Sequence, residues 1–544
     1  MTCDALVTPI RRRLRAARTG PVSARTTAAA MGLGFFLLMA GWALITPMNA
    51  TDEAAQVVKA AATVRLQNLG TIEHVPKTVL GASVRSPLAV GEVSVYRVPA
   101  SFDVQLIPCF SAGAANPACA QPMNDSGRIV SAISYVGNYD PVYYLLIGWP
   151  TLLLLGAKCV YLMRLCSALL NALLLGLAAR TALETRRPRR ALLSLAAAAT
   201  PMTLFFGGIV NPNGTEICAA MLVWSVVLRL ATATEPVPEV ARGLAGRAAF
   251  GLFLLLSLRM LGPLWVGLIA VAGWWVARPA TRRALLRCRT VRIGALFSAL
   301  LAAGSLLWTR LTPIELVSLG SAHPGFARAA RLTLDLAPRH LREMLFSYDW
   351  AEVQVPMLAC VLLTGTLALL LAPLLAERRY ALPFLAMAVG VVAIPVILQG
   401  YEMHALGMVW QGRYLLPYAT GLVLLAGFAD LDVHRAAPEL AGRALEHWLG
   451  AFVGISGLTC FWWAVRRNAN RAGIAGSLLP RHVRWSPPMT WPGAVLPYLL
   501  GAALVGWALW RCTDRAEAAS HPEPADAGLA PVPPQAGGTT VAAR

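Results

Sequence analysis

The sequence predicts an all-α integral membrane protein of about twelve transmembrane helices, with a small folded loop on the outer side. Three observations carry that expectation. Of 544 residues, 57% are hydrophobic and only 14% are charged, and mean hydropathy is +0.58, whereas soluble domains carry about 25% charged residues. Apolar runs near the ~20 residues that a bilayer requires recur along the chain. Short arginine clusters separate these runs, as topology signals do. A net charge of +20 in a soluble chain would suggest nucleic acid; with the arginines placed between apolar runs, the bilayer is the expected partner and nucleic acid is not.

The first element is a basic N-terminus, 1–27, carrying Arg11, Arg12, Arg13, Arg15, Arg18 and Arg25. The positive-inside rule keeps it cytoplasmic, and the long apolar run with many later spans favours 28–47 as an uncleaved signal anchor over a removed signal peptide. Thr46-Pro-Met-Asn-Ala-Thr-Asp-Glu-Ala-Ala55 then meets water and puts Asp52 and Glu53 at the mouth of a long outer loop, 49–140. That loop is far longer than the usual connection. It is expected to hold a short helix from Asp52 to Leu69, with Val57, Val58, Ala61 and Val64 on one face. A period-two strand follows at Val93–Val98.

Residues 141–156 read as an interfacial or re-entrant helix broken near Pro150. A full span there would leave Arg186, Arg187, Arg189 and Arg190 outside, against the charge rule. The second span is then 158–179. The remaining spans fall near 191–209, 215–233, 245–259, 261–277, 292–309, 353–376, 380–398, 414–430, 445–464 and 493–511, which places both termini inside. The transmembrane domain is thus 28–511, and the Pro- and Ala-rich tail 512–544 is expected to be disordered. One loop dissents: 465–492 is basic yet falls outside. Asn211-Pro-Asn-Gly214 reads as an outer turn. The loop 310–352 contains an amphipathic stretch from Phe326 to Leu345 suited to the membrane surface.

Five of the ten cysteines, Cys159, Cys166, Cys218, Cys360 and Cys460, lie inside apolar runs and read as small buried hydrophobes. Cys109 and Cys119 sit in the outer loop, where an oxidising exterior permits a disulfide, and that reading outweighs metal ligation.

Asp52 and Glu53 admit two readings. Acids in the first turn of a helix complement its dipole, or a carboxylate at the membrane surface serves as general base. The pair is also a set of oxygen ligands for a divalent cation such as Mg or Mn. Charged groups in or near spans are costly and pair or serve a site; these are Arg164, Glu216, Arg259 and Arg413. Arginine presents phosphate with a forked, permanent set of donors, so Arg259 and Arg413, with Arg164 deeper, are the expected phosphate ligands. Tyr143 and Tyr144 read first as interfacial belt residues and second as a sugar-stacking platform. Asn211 and Asn213 are explained as turn residues, though they face the same side as the acids. His74 and His404 are single histidines with no ligand pattern. The absence of a P-loop, dinucleotide fingerprint, HExxH or GxSxG elbow disfavours ATP- or NAD-driven chemistry.

Taken together, Thr51-Asp-Glu53, Asp140-Pro-Val-Tyr-Tyr144, Asn211-Pro-Asn-Gly214, Arg259 before Gly262-Pro263, and Gln411-Gly-Arg-Tyr-Leu-Leu-Pro417 resemble a family of bacterial polytopic membrane proteins known as a domain of unknown function. That family is in turn similar to the GT-C glycosyltransferases, integral enzymes that use polyprenyl-phosphate sugars. The resemblance covers roughly 28–465. It implies a GT-C-like fold and a plasma-membrane enzyme that transfers a sugar, with inversion, to a cell-envelope acceptor on the outer face. Asp52 or Glu53 would be base or metal ligand, and Arg259, Arg413 and Arg164 would hold the donor phosphate. Tyr143, Tyr144, Asn211, Asn213, Gln411 and Tyr414 would line the substrate site. The chain departs from the family pattern at Gln56, commonly histidine, and at Asn213, usually aspartate. Two non-catalytic readings stand beside the enzyme: a lipid or polysaccharide transporter, although no internal repeat is evident, and a scaffold in envelope assembly.

Overall fold

A computed structural model describes residues 23–48, 50–74, 92–103, 123–313, 324–348, 355–431, 443–469 and 485–512. Cys109, Cys119, the basic segment before Ser23, the tail after Cys512 and most of the dissenting loop lie outside the described residues.

Helix α1 (Ala24–Ile45) begins at Ser23, whose hydroxyl accepts from the Thr26 amide, and stops before Pro47. It packs against α4 (Gly156–Ala182) and α18 (Thr490–Arg511). Small residues let these backbones approach: a Cβ on Gly34 would stand 3.1 Å from the Gly501 carbonyl. Between them in sequence lie α5 (Pro188–Ala198) and α6 (Pro201–Gly207), then α7 (Pro212–Ala231), α8 (Val237–Leu256) and α9 (Gly262–Val276). A short α10 (Pro279–Arg287) precedes α11 (Arg289–Leu311). The second half contains α14 (Met357–Leu371), α15 (Arg378–Leu406), α16 (Leu416–Phe428) and α17 (Arg443–Ala469).

The membrane-spanning, nearly all-helical character is as the composition predicts, while twelve spans are not confirmed. Among the described residues eight helices are long and apolar enough to cross a bilayer, or nine if α5 and α6 form one span bent by 69°. All twelve expected segments are helical, yet three fall short. Helix α8 carries Glu239, Arg242 and Arg247, α9 has 15 residues and α16 has 13. The expected span 191–209 runs through the break at Ala199–Thr200, and hydropathy alone does not register a bend, whereas the expected spans 245–259 and 261–277 already divide at the break between α8 and α9.

At the end of α1 sits the folded loop. Helix α2 (Glu53–Thr63) is buried along its whole length, because strands cover one side and α3 (Pro141–Gly148) the other. The expected single face and the expected extension to Leu69 are therefore revised: Leu66 adopts φ +63 and the helix has already ended. The antiparallel sheet has the order β1 (Thr71–His74), β2 (Glu92–Pro99), β3 (Ile129–Ser134), with Tyr96 opposite Ala132. The break near Pro150 takes the form of a 3-10 turn at Trp149–Leu152. Leu145, Leu146, Trp149, Leu152 and Leu153 are exposed there, as an element resting on lipid requires. The amphipathic stretch is two helices, α12 (Phe326–Asp335) and α13 (Ala337–Phe346).

Candidate functional site

The two adjacent acids part company at the start of α2. Asp52 takes a left-handed backbone conformation, φ 60 and ψ −3, which costs an L-residue roughly 1–2 kcal/mol and which Asp tolerates better than most. Its side chain leaves the helix towards β3 and α16. Oδ1 accepts from the Tyr135 hydroxyl at 2.8 Å and Oδ2 accepts from Arg413 Nη2 at 2.7 Å. Burial first, and the Asp52 charge second, hold the Tyr135 phenol well above its ordinary pKa, so it remains a protonated donor.

Arg413 stands on the 3-10 turn Gly412–Leu415 that enters α16. That turn is held from α13, where Glu343 Oε2 accepts from the Gly412 amide at 3.1 Å. The preceding loop is tied by Gln399, whose side-chain oxygen accepts from the Val409 and Trp410 amides. The guanidinium lies between the rings of Phe206 and Tyr414, each 5.1 Å away. Its side chain is 6% exposed, and its Nε has no hydrogen-bond partner among the described residues. Unpaired buried donors are rare.

Arg259 occupies the break between α8 and α9. It donates to Asn213 Oδ1, to Glu216 Oε2 at 3.4 Å and to the Tyr139 hydroxyl at 3.5 Å. Trp265 Nε1 donates to the other Glu216 oxygen at 3.0 Å. Asn213 and Glu216 share the first turns of α7, which Asn211 caps by accepting from the Asn213 amide. Asn211 also donates to the Thr51 carbonyl at 3.1 Å, tying α7 to the residue before Asp52. The Tyr414 ring joins the two halves, 4.9 Å from the Arg259 guanidinium and 5.1 Å from that of Arg413. Asp52, Arg413, Tyr414, Arg259 and Asn213 thus form one cluster.

Glu53 and Arg164 are elsewhere. Glu53 is 1% and Arg164 0% exposed. Arg164 Nε donates to Glu53 Oε1 at 2.8 Å and Nη2 to Oε2, while the Ala43, Thr46 and Pro47 carbonyls accept from its remaining N–H groups. These bonds occupy all five guanidinium donors. The Val210 and Ala50 amides fill the carboxylate. Arg164 has no donor left for a phosphate, and Glu53 has no oxygen left for a substrate. The pair stitches the end of α1 to α2, α4 and the α6–α7 connection. The shared cation site fails for the same reason: the two carboxylates point to different arginines and do not converge. Among the described residues no group of three or more His, Cys, Asp or Glu side chains gathers to hold a metal.

The tyrosine pair is also corrected. Tyr143 bonds Ser167 at 3.1 Å, Tyr144 donates to Gln56 at 2.5 Å, and both rings are fully buried. They pack the loop onto α4 and offer no face to lipid or sugar. Gln56 is that acceptor, through Oε1. Gln411 is half-buried and its carbonyl accepts from the Tyr414 amide. His74 is exposed on β1.

Sequence reasoning passed over Tyr135, Tyr139 and Phe206, which touch the cluster only through tertiary packing. It also passed over Lys59, wholly buried in α2, which donates to the Asn68 and Gly137 carbonyls and to Tyr96. Burial pushes its pKa down to about 8, against the opposing pull of Asp140. A lysine amid Val57, Val58 and Ala60–Ala62 was the available sign.

A family model described as a predicted membrane protein (DUF2142) matches residues 36–422, and so spans every residue of the cluster. No curated protein matches the chain.

Proposed function

Because the chain belongs to the DUF2142 family of predicted membrane proteins, we propose from its own residues that it is an inverting glycosyltransferase of the bacterial plasma membrane. It takes a sugar from a polyprenyl-phosphate donor and gives it to a cell-envelope acceptor at the outer face. The observation that carries this reading is the pairing of a strained, largely buried carboxylate, Asp52, with a buried arginine, Arg413, whose Nε has no hydrogen-bond partner among the described residues.

In this reading the donor phosphate meets Arg413 and Arg259 on either side of Tyr414. Phosphate and Asp52 compete for the same guanidinium, so donor binding loosens Asp52 from Arg413 and frees its Oδ2 to accept from the acceptor hydroxyl. The acceptor hydroxyl gives its proton to Asp52 and its oxygen bonds to the anomeric carbon. The bond from that carbon to the phosphate oxygen breaks, and polyprenyl phosphate leaves with the electron pair, stabilised by the two arginines. A single displacement inverts the centre. Tyr135 holds the base by its second oxygen. Glu53 and Arg164 act as framework.

One observation favours the transporter alternative: α5 and α6 form a broken helix, a device transporters use at mid-membrane. The test separates the two. Full-length protein in nanodiscs is offered a panel of polyprenyl-phosphate sugars with envelope glycan acceptors. The enzyme reading expects saturable donor binding lost in Arg413→Ala and Arg259→Ala, with Asp52→Asn binding donor but transferring no sugar. Donor binding with no transfer by the wild type across the acceptors, and no effect of Asp52→Asn, overturns it in favour of transport.

A further inference from the structure

A second site lies at the other end of the bundle. Along α1, Gly41 faces Tyr498 and Gly34 faces Gly501 and Val505, so α18 runs away from Asp52 as its numbers rise. Beyond that contact a cavity of about 620 Å3 opens between α1, the α5–α6 bend, α17 and α18, within the roughly 300–1,000 Å3 of ligand sites.

Three features define what fits. First, its lining on α18 runs from Tyr498 to Trp510, about 18 Å at 1.5 Å per residue, close to half of the ~30 Å hydrocarbon core. Second, the charged side chains are confined to one end. Arg189 pairs with Glu446 at 3.5 Å, and His447 stacks on Trp510 with centroids 4.4 Å apart; the walls further in are Phe35, Leu38, Leu193 and Leu204. Third, the space is built in by the backbone. The 69° bend at Ala199–Thr200 turns α6 away from the line of α5, and Gly454 and Gly506 front open space, where an added Cβ meets nothing within 4 Å.

We propose that this cavity binds one hydrocarbon chain of an anionic glycerophospholipid from the leaflet at that end, with the lipid phosphate at Arg189 and His447. A leaflet-long apolar slot with a cationic and an imidazole donor at a single end matches an amphiphile entering from that side. Glu446 orients Arg189 rather than binding the lipid. The site is separate from the Asp52 cluster and does not depend on the glycosyltransferase reading.

The test uses full-length protein in nanodiscs with phosphatidylglycerol carrying a photoreactive acyl chain, and the matching diacylglycerol as a headgroup-free arm. The expected result is saturable labelling of α17 and α18 peptides that unlabelled phosphatidylglycerol competes away. Labelling should fall at least fivefold with the diacylglycerol probe and at least fivefold in the Gly454→Leu, Gly506→Leu double variant. Gly267→Leu, on exposed α9 surface with equal room for a side chain, should label as wild type. Labelling that rises linearly with probe, or that is the same for both headgroups, is boundary lipid and overturns the proposal. The two wild-type arms decide the matter even where a cavity-filling variant fails to fold.

Discussion

Replacing Glu53 by Gln removes one charge from a buried pair and changes almost no volume, so its cost is electrostatic. The carboxylate accepts two N–H groups from Arg164, one from Val210 and one from Ala50. In the variant Arg164 keeps three carbonyl acceptors but faces an amide whose NH2 opposes its own donors. Removing one partner of a buried ion pair costs about 3–5 kcal/mol, a fifth or more of the roughly 5–15 kcal/mol that holds a typical domain. Asp52→Asn loses a charged hydrogen bond worth about 1.5–3 kcal/mol, and its amide still suits the left-handed backbone. Adjacent acids should therefore separate cleanly: Glu53→Gln hits stability harder, and Asp52→Asn hits sugar transfer harder. Reversible unfolding of the full chain in mixed micelles, with Glu53→Gln, Arg164→Gln and the double variant as a cycle, measures the first half. The cycle should return a large coupling between the two sites. Wild-type stability of Glu53→Gln together with lost transfer would refute the framework assignment and return Glu53 to the chemistry.

Three further outcomes follow from the same geometry. Lys59 titrates near 8 in the fold against 10.5 for its ordinary value, so between those pH values the unfolded chain binds more protons and stability rises with pH. The gain of wild type over Lys59→Met between pH 7 and 10.5 should be about 3 kcal/mol, read from parallel unfolding titrations; a flat difference contradicts it. Gly421→Ala drives a methyl group into the Trp224 indole, whose N–H is committed to the Pro417 carbonyl, and should cost about 1–3 kcal/mol by overpacking, seen as a lower midpoint in the same titration. Tyr135→Phe removes one of two holds on Asp52 and should cost about 1 kcal/mol of stability. Its transfer rate should fall, while donor affinity stays at the wild-type value.

The class of the protein was legible because it depends on one-dimensional quantities. Apolar run length and the low charged fraction point to a bilayer, period-two alternation marks Val93–Val98, and Pro150 marks the break after α3. The number of spans was not, because apolar runs such as 261–277 and 414–430 do not reveal that the helices within them, α9 and α16, have only 15 and 13 residues. At the site, residue type and side of the membrane made Asp52, Arg259 and Arg413 candidates, but nothing in their spacing says that Tyr414 stands between the arginines. Arg164 misleads for a definable reason. Its satisfaction comes from the carbonyls of Ala43, Thr46 and Pro47, and backbone acceptors at a helix end have no sequence signature. Tyr143 and Tyr144 mislead likewise, since the partners that bury them, Ser167 and Gln56, are remote or plain.

The divergence of Asp52 and Glu53 turns on a single dihedral. A right-handed Asp52 would extend α2 by one residue and change the direction in which its side chain leaves the helix. With φ at 60 the helix begins one residue later, Glu53 points into the seam of α1 and α4, and Asp52 points to Tyr135 and Arg413. Nothing local stabilises that conformation: Asp52 makes no side-chain cap bond to its own helix. Strain of this kind persists where the surroundings over-determine it, and it gathers at sites that act on ligands. Here the surroundings are the Arg413 turn, the Tyr135 hydroxyl and the Asn211 bond to Thr51, drawn from three separate parts of the chain. A carboxylate serving only to start a helix would sit unstrained at its N-cap and bond its own amides. One held out of its helix, against a buried arginine whose Nε has no partner among the described residues, is what the glycosyltransferase proposal requires of its base.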